Sequence, residues 1–169
     1  MTNILEEAVV RKSVRVQAPI ERAFSVFVEQ METWWPPQHH IAPEPFQAIF
    51  VEPRVGGRWY ERDAKGSQCE WGTVLAWDPP QRVSLSWHLG SDFKFNPDLA
   101  FASEVEIRFT SNDSSTLVEL EHRGLERHGE GYQQLRAIMD GPGAWVATLA
   151  AYANVIDHPK PAEENEESR

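Results

Sequence analysis

GPGAWVATLAAYANVID, residues 141–157, is the stretch that decides the fold of this chain. No charged residue occurs between positions 141 and 156, and four large apolar residues recur at the spacing of one helical face: Trp145, Leu149, Tyr152 and Ile156. The preceding Gly-Pro-Gly and the following Asp-His-Pro predict the ends of this helix. At roughly 21 Å it is long enough to cross four or five strands, so its apolar face needs a partner elsewhere in the chain.

Segments of two-residue periodicity supply that partner. The first covers residues 9–16, and a helical pattern that Pro19 can start follows it as far as Gln30. Six further segments cover residues 46–52, 57–62, 68–77, 82–88, 103–109 and 116–122, and all but one of their connections are short turns rich in Gly, Pro, Asp and Asn. Short turns predict an antiparallel sheet. Its apolar face should meet the helix, and its other face, which carries Glu104, Glu106 and Glu121, should meet solvent.

The remaining segments define connections and a tail. Residues 89–102 carry three phenylalanines and predict a lid-like loop, while residues 123–140 predict a short helix before the Gly-Pro-Gly break. Residues 158–169 are acidic and predict a disordered tail. We therefore predict a single domain over residues 1–157.

Composition limits the partners and the compartment. A net charge of −10 argues against a nucleic-acid partner, and no segment is apolar for long enough to insert into a membrane. The single cysteine, Cys69, cannot form an internal disulfide, and a lone cysteine on a strand is more typical of a buried packing residue than of a nucleophile. The first ten residues lack the order of a secretory signal. Together these features predict a cytoplasmic protein.

Four stretches resemble a known family in amino-acid sequence as well as in the order of their predicted elements: VEPRVGGRWYERDAKGSQCEWGTVLAWDPPQRVSLSW (51–87), SEVEIRFT (103–110), VELEHRGLERHG (118–129) and GPGAW (141–145). They resemble the domain family named after the activator of Hsp90 ATPase, within the START-like, or polyketide cyclase and Bet v 1-like, superfamily. The resemblance implies an α+β helix-grip fold, in which a curved seven-stranded antiparallel sheet wraps around the long C-terminal helix and leaves an apolar cavity. It implies no single set of catalytic residues.

We predict that this cavity is lined by Trp34, Trp59, Glu61, Gly72, Trp87, His122, Trp145, Leu149 and Tyr152. His122 ends an apolar alternation, so it is either a ligand partner or proton acceptor, or a histidine satisfied by backbone groups. Glu61 and Glu70 should point inward and pair with an arginine, for which the candidates are Arg58, Arg62 and Arg82. The adjacent Trp34 and Trp35 cannot share a face, which predicts one core residue and one that lines a cleft or a contact surface.

Other chemistry finds little support in the sequence. His39 and His40 lie between prolines without further ligands nearby, so we predict no metal and no cofactor, and His128 should be solvated in its Gly-flanked loop. The motifs of nucleophile elbows, phosphate loops, dinucleotide sites and zinc proteases do not occur. We predict no catalytic residue set.

Three functions follow as hypotheses. The preferred one is binding of a hydrophobic or aromatic small molecule in the cavity without turnover. The second is a cyclase-, aromatase- or hydrolase-like enzyme in which the cavity orients a reactive chain by shape. The third is a module that contacts an Hsp90-type chaperone, as the family name suggests. A homodimer contact through the small residues Ala147, Ala150 and Ala151 is a further alternative.

Overall fold

The computed structural model describes residues 8–158, in which a seven-stranded antiparallel sheet curls around the C-terminal helix. Its strands, in the spatial order β1-β7-β6-β5-β4-β3-β2, are β1 (Val10–Val16), β2 (Phe46–Val51), β3 (Arg58–Asp63), β4 (Gln68–Asp78), β5 (Arg82–Trp87), β6 (Ser103–Asn112) and β7 (Ser115–Arg123). The α-helices of the described part are α1 (Ile20–Val28), α2 (Tyr132–Asp140) and α3 (Trp145–Asp157). The predicted helix-grip fold is confirmed. The tail predicted for residues 158–169 lies, except for its first residue, outside the described range.

Helix α3 is fixed to the rest of the molecule at its beginning, middle and end. The indole nitrogen of Trp145 donates to His122 Nδ1 at 3.1 Å, and the hydroxyl of Tyr152 donates to the carbonyl of Ala23 in α1 at 2.7 Å. At the other end Asp157 accepts a hydrogen bond from the backbone N–H of Gln17 at 2.9 Å. The predicted apolar face of α3 is buried along its whole length. The helix therefore has one register on the sheet.

Bulges in the described strands produce the curl and correct one expectation. An extra residue enters β2 at Gln47 and β4 at both Trp71 and Leu75, and such insertions increase the local twist of a strand. The extra residue at Trp71 shifts the alternation. Glu70, expected to point inward, instead lies half-exposed and pairs with Arg58 at 2.8 Å. The indole of Trp71 takes the inner face in its place.

The outer face of the sheet holds a buried charge, although the alternation predicts a solvated one. The side chain of Glu106 is only 3% exposed because arginines cover it: Arg82, Arg108 and Arg123. Burial opposes ionisation of Glu106, but hydrogen bonds from the three guanidinium groups outweigh that effect and hold its pKa at about 2. The carboxylate thus links side chains of three neighbouring strands: β5, β6 and β7.

We expect the Glu106→Gln variant to lose acid-sensitive stability. Because the pKa of Glu106 in the folded protein lies below its ordinary value of 4.5, the carboxylate stabilises the fold above about pH 4.5. This stabilisation is lost as the pH falls from 4.5 towards 2. At pH 7 the variant should unfold more easily by about 1–3 kcal/mol, and the difference should shrink in acid. The measurement is urea unfolding of both proteins at pH 7 and at a pH near 2.

Glu119→Gln is the matched control, because Glu119 is exposed on the neighbouring strand. It should change the free energy of unfolding by less than about 0.5 kcal/mol at every pH. An equal loss in the two variants would contradict the role assigned to Glu106.

Candidate functional site

A cavity of about 450 Å³ opens at the N-terminal end of α3, between that helix, the concave face of the sheet and the loops nearby. We call it the aromatic pocket. Its volume lies within the range typical of small-molecule sites. Its walls are mainly apolar, with contributions from Trp35, Ile41, Trp71, Trp87, Phe93, Ile138, Met139, Ala144 and Trp145, and its polar side chains are Gln38, His39, His40 and Thr148.

Four indole rings from four parts of the chain form the inner wall. Trp35 comes from the connection after α1, Trp71 from the bulge in β4, Trp87 from the end of β5, and Trp145 from the first turn of α3. Trp35 meets Trp71 edge to face at 5.5 Å between ring centroids, and Trp87 meets Trp145 in the same way at 5.5 Å. Edge-to-face pairs of this kind add stability beyond the area that they bury.

Each ring of this wall is oriented by its indole N–H, which donates to a protein acceptor. Besides the bond from Trp145 to His122, Trp35 donates to the carbonyl of His39 at 2.8 Å. Trp87 donates to the carbonyl of Leu89 at 2.8 Å. Trp71 donates to a carboxylate oxygen of Glu61 at 2.9 Å. Trp71, Trp87 and Trp145, which lie on strands or on α3, are therefore preorganised, whereas the indole bond of Trp35 lies within its own connection.

Glu61 is wholly buried behind the pocket, and the expected arginine pair is wrong. In addition to the indole of Trp71, its carboxylate accepts the backbone N–H groups of Ile41 at 2.7 Å and Ala42 at 3.3 Å. The arginines considered as its partners bind other groups: Arg58 binds Glu70, Arg62 binds Gln47 and Arg82 binds Glu106. N–H donors can compensate a buried carboxylate as a cation does. Glu61 thereby links β3 to the segment of Ile41 and Ala42, which forms the rim of the pocket.

His122 is fully buried and does not line the pocket; it lies behind Trp87 and Trp145. Because its Nδ1 accepts the indole proton of Trp145, its own proton is on Nε2, which lies 2.7 Å from the hydroxyl of Ser103. Burial, together with nearby His128, lowers the pKa of His122 to about 3. The ring is neutral and hydrogen-bonded to side chains on both sides. Its direct role here is to orient Trp145.

His128 corrects a further expectation, because it is not solvated. It is half-buried, and its Nε2 lies 2.8 Å from the hydroxyl of Ser103, which therefore stands between the two histidines. Burial, with a smaller effect of His88, lowers the pKa of His128 to about 4. A buried neutral histidine, His122, and a half-buried one, His128, are thus linked through Ser103 behind the wall.

His39 is a titratable group on the pocket lining itself. Its Nε2 donates to the carbonyl of Gly143 at 3.0 Å, which leaves Nδ1 unprotonated at 3.3 Å from the hydroxyl oxygen of Thr148. That hydroxyl donates to the carbonyl of Ala144 at 3.0 Å. Burial lowers the pKa of His39, although the carbonyl of Gly143 partly opposes this effect. At neutral pH the imidazole can therefore accept a proton.

Metal binding finds no support in the geometry. Between residues 8 and 158, no three His, Cys, Asp or Glu side chains converge in a way that could hold an ion. In the same part of the chain no helix is long and apolar enough to span a bilayer.

Of the nine residues predicted to line the cavity, Trp87 and Trp145 line the aromatic pocket. The other seven lie in the core outside its lining: Trp34, Trp59, Glu61, Gly72, His122, Leu149 and Tyr152. A side chain at Gly72 would place its Cβ 1.7 Å from the carbonyl oxygen of Ser86, so this glycine is required by the close approach of two strands. For all nine residues, contact with a ligand stays a prediction.

Sequence reasoning did not place Trp35, His39, Trp71 or Phe93 in the site. For Trp35 a signal was present, because two adjacent tryptophans predict one core ring and one cleft ring, and the neighbouring Trp34 is the core ring. Phe93 lies on the predicted lid loop with a φ of 58°, an uncommon value for a bulky residue. The bulge that turns Trp71 inward has no signature in the two-residue pattern.

A curled sheet around a C-terminal helix, with an aromatic cavity at one end, defines this chain as a helix-grip α+β protein. The family model described as "Activator of Hsp90 ATPase homolog 1-like protein" matches residues 17–154. The chain therefore belongs to this family.

Solved structures extend the comparison. An anthrahydroquino-γ-pyrone synthase, Txn09, complexed with SUM, is 42% identical over 89% of this chain and 99% of its own, with a TM-score of 0.62. CalC, a self-sacrificing resistance protein from Micromonospora echinospora, is 26% identical over 92% and 99%, with a TM-score of 0.65. Aha1 from Colwellia psychrerythraea, a dimer in solution, is 12% identical over 90% and 98%, with a TM-score of 0.60, and shows the fold alone. No curated protein matches the sequence.

The role of Glu61 can be tested with the Glu61→Gln variant. The amide presents one oxygen instead of two and turns an N–H₂ group towards an existing donor, so stability should fall by about 1–3 kcal/mol. Amide exchange at Ile41 and Ala42 should accelerate. Urea unfolding and hydrogen exchange measure the two effects. Glu70→Gln, on the adjacent strand but half-exposed, should cost less than about 1 kcal/mol; a similar loss in both variants would contradict the role of Glu61.

Proposed function

We propose that the aromatic pocket binds a planar aromatic molecule of the polyketide type. The observation that carries this proposal is the inner wall of four hydrogen-bonded indole rings: Trp35, Trp71, Trp87 and Trp145. Flat ligand rings stack on aromatic side chains or meet their edges, and such a wall offers both arrangements at little cost in conformational entropy. The 42% identity to a synthase named for a fused aromatic pyrone supports the ligand class.

The other partners predicted from the sequence remain predictions. Contact with an Hsp90-type chaperone is suggested by the name of the family, and the Aha1 dimer supports only the fold at 12% identity. Ala147, Ala150 and Ala151 lie partly exposed on α3, where a second copy of the chain could pack. The geometry of the pocket needs neither partner.

The binding proposal is tested with flavone, a planar aromatic pyrone, and with substitutions on one loop. Phe93→Ala removes an aromatic wall of the pocket, and we expect it to weaken flavone binding about tenfold, measured by quenching of tryptophan fluorescence. Phe101→Ala is the matched control, because Phe101 is exposed on the same loop outside the pocket. Absence of flavone binding to the unmodified protein, or an equal effect of both substitutions, would overturn the assignment.

A second candidate function is ring closure on the bound molecule, favoured by His39 and by the named activity of the 42% identical synthase. A γ-pyrone forms when a phenolic oxygen attacks a carbonyl carbon of a neighbouring diketone chain. His39 Nδ1 would accept the phenolic proton as the O–C bond forms and pass it to the former carbonyl oxygen, giving a hemiketal. His39 Nδ1 would then take a proton from the adjacent CH2 group and deliver it to the hemiketal hydroxyl, so that the C–O bond breaks, water leaves and the ring C=C bond forms. The step needs no oxidant, and the pocket supplies the orientation.

Conversion of 2-hydroxydibenzoylmethane to flavone and water, followed by absorbance, tests this candidate. His39→Gln should lower the rate about a hundredfold while leaving flavone binding in place. Because the pKa of His39 is lowered and its neutral form is the base, the rate should rise with pH, with a midpoint below 6.5, and level off by pH 7. The control is His158→Gln, at an exposed histidine beyond α3. A rate unchanged by His39→Gln would remove ring closure through this residue.

A further inference from the structure

One buried tryptophan differs from the others. Six of the seven tryptophans are buried, and five of these donate their indole proton to a protein acceptor: Trp34 to the carbonyl of Val26, Trp35 to that of His39, Trp71 to Glu61, Trp87 to the carbonyl of Leu89, and Trp145 to His122. Trp59 is 1% exposed, and its Nε1 has no hydrogen-bond partner among residues 8–158. Buried indole N–H groups normally find an acceptor, so this donor calls for an explanation.

The ring of Trp59 packs directly behind the rings that form the inner wall of the aromatic pocket. Its ring centroid is 5.5 Å from that of Trp71, 5.8 Å from that of Trp87 and 6.1 Å from that of Trp35. All three of these neighbours line the pocket. The unpaired donor therefore belongs to the aromatic cluster that faces the proposed ligand.

Trp35 is the neighbour that can move aside with the least disruption. Trp71 and Trp87 belong to strands of the sheet, whereas Trp35 lies in the connection between α1 and β2. Its indole N–H bonds to the carbonyl of His39 within the same connection, so a shift of residues 35–39 keeps that bond and leaves the bonds of Ile41 and Ala42 to Glu61 in place, although it breaks the bond from His39 to Gly143. Such a shift would open the pocket towards Trp59.

We propose that Trp59 Nε1 is a specificity-determining donor of this site, which binds a carbonyl oxygen of an aromatic ketone once Trp35 has moved aside. The inference rests on the proposed ligand-binding function and adds that the ligand must carry a hydrogen-bond acceptor. An acceptor oxygen on the ligand satisfies the indole N–H, whereas a hydrocarbon ring at the same place leaves it unpaired. Sites with a buried polar group discriminate against ligands that cannot pair with it.

The test compares flavone with 4H-flavene, the same ring system without the carbonyl, on the full chain. The unmodified protein should bind flavone about two- to tenfold more tightly than flavene. Replacing Trp59 by 3-benzothienylalanine keeps the shape of the ring and exchanges the N–H for sulfur, so this preference should disappear. The same replacement at Trp77, which is partly exposed and does not line the pocket, should preserve it.

A second measurement is independent of the replacement. The indole proton of Trp59, assigned by NMR with a Trp59→Phe variant, should move downfield when flavone binds and stay in place with flavene. If neither compound binds, this inference and the proposed function both fail. If both bind equally well, or if the indole proton does not respond to flavone, the inference fails while the binding function stands. A Trp59 replacement that alters stability but leaves the preference intact shows a structural role and also overturns it.

Discussion

The hydrogen bond from Trp145 to His122 is the interaction on which the position of α3 depends. Trp145 begins the helix and is buried, so its indole N–H needs an acceptor inside the protein. That acceptor is a neutral imidazole on β7, kept neutral by burial and oriented by Ser103. The bond fixes the start of α3 over the concave face of the sheet. Because Trp145 also lines the aromatic pocket, the same bond sets one wall of the candidate site.

Most polar groups buried near the pocket orient aromatic rings rather than face a ligand. Glu61 holds Trp71 and the backbone of the pocket rim, and the carbonyl groups of His39 and Leu89 hold Trp35 and Trp87. Few polar groups remain free on the pocket lining, so the proposed ligand would be recognised mainly by shape and aromatic contact. Under the proposed ring closure, such a pocket would hold a flexible chain in one reactive geometry, and proximity would account for much of the rate.

The wrong expectations share a physical cause, since each applied a rule of local spacing to a position whose environment depends on strand pairing or on residues distant in sequence. Glu70 points outward because one extra residue at Trp71 shifts the alternation of β4. Glu106 is buried on the outer face because arginines from neighbouring positions of the sheet fold over it. Glu61 binds N–H donors because a connection twenty residues earlier in the chain passes next to it. In each case the orientation or burial of the carboxylate depends on residues distant in sequence or on a bulge in the strand pairing.

By itself the sequence determined the architecture: the apolar face of the last helix, the alternating strands and their short turns predict a sheet that grips α3, because periodicity and turn chemistry are local properties. It also placed Trp87 and Trp145 at the cavity. Only the tertiary structure decided that Trp35 and Trp71 complete the wall, that His122 lies behind it, and that the cavity opens at one end of α3. Those facts depend on bulges and on which side chains meet across the curled sheet, and neither can be read from residue spacing.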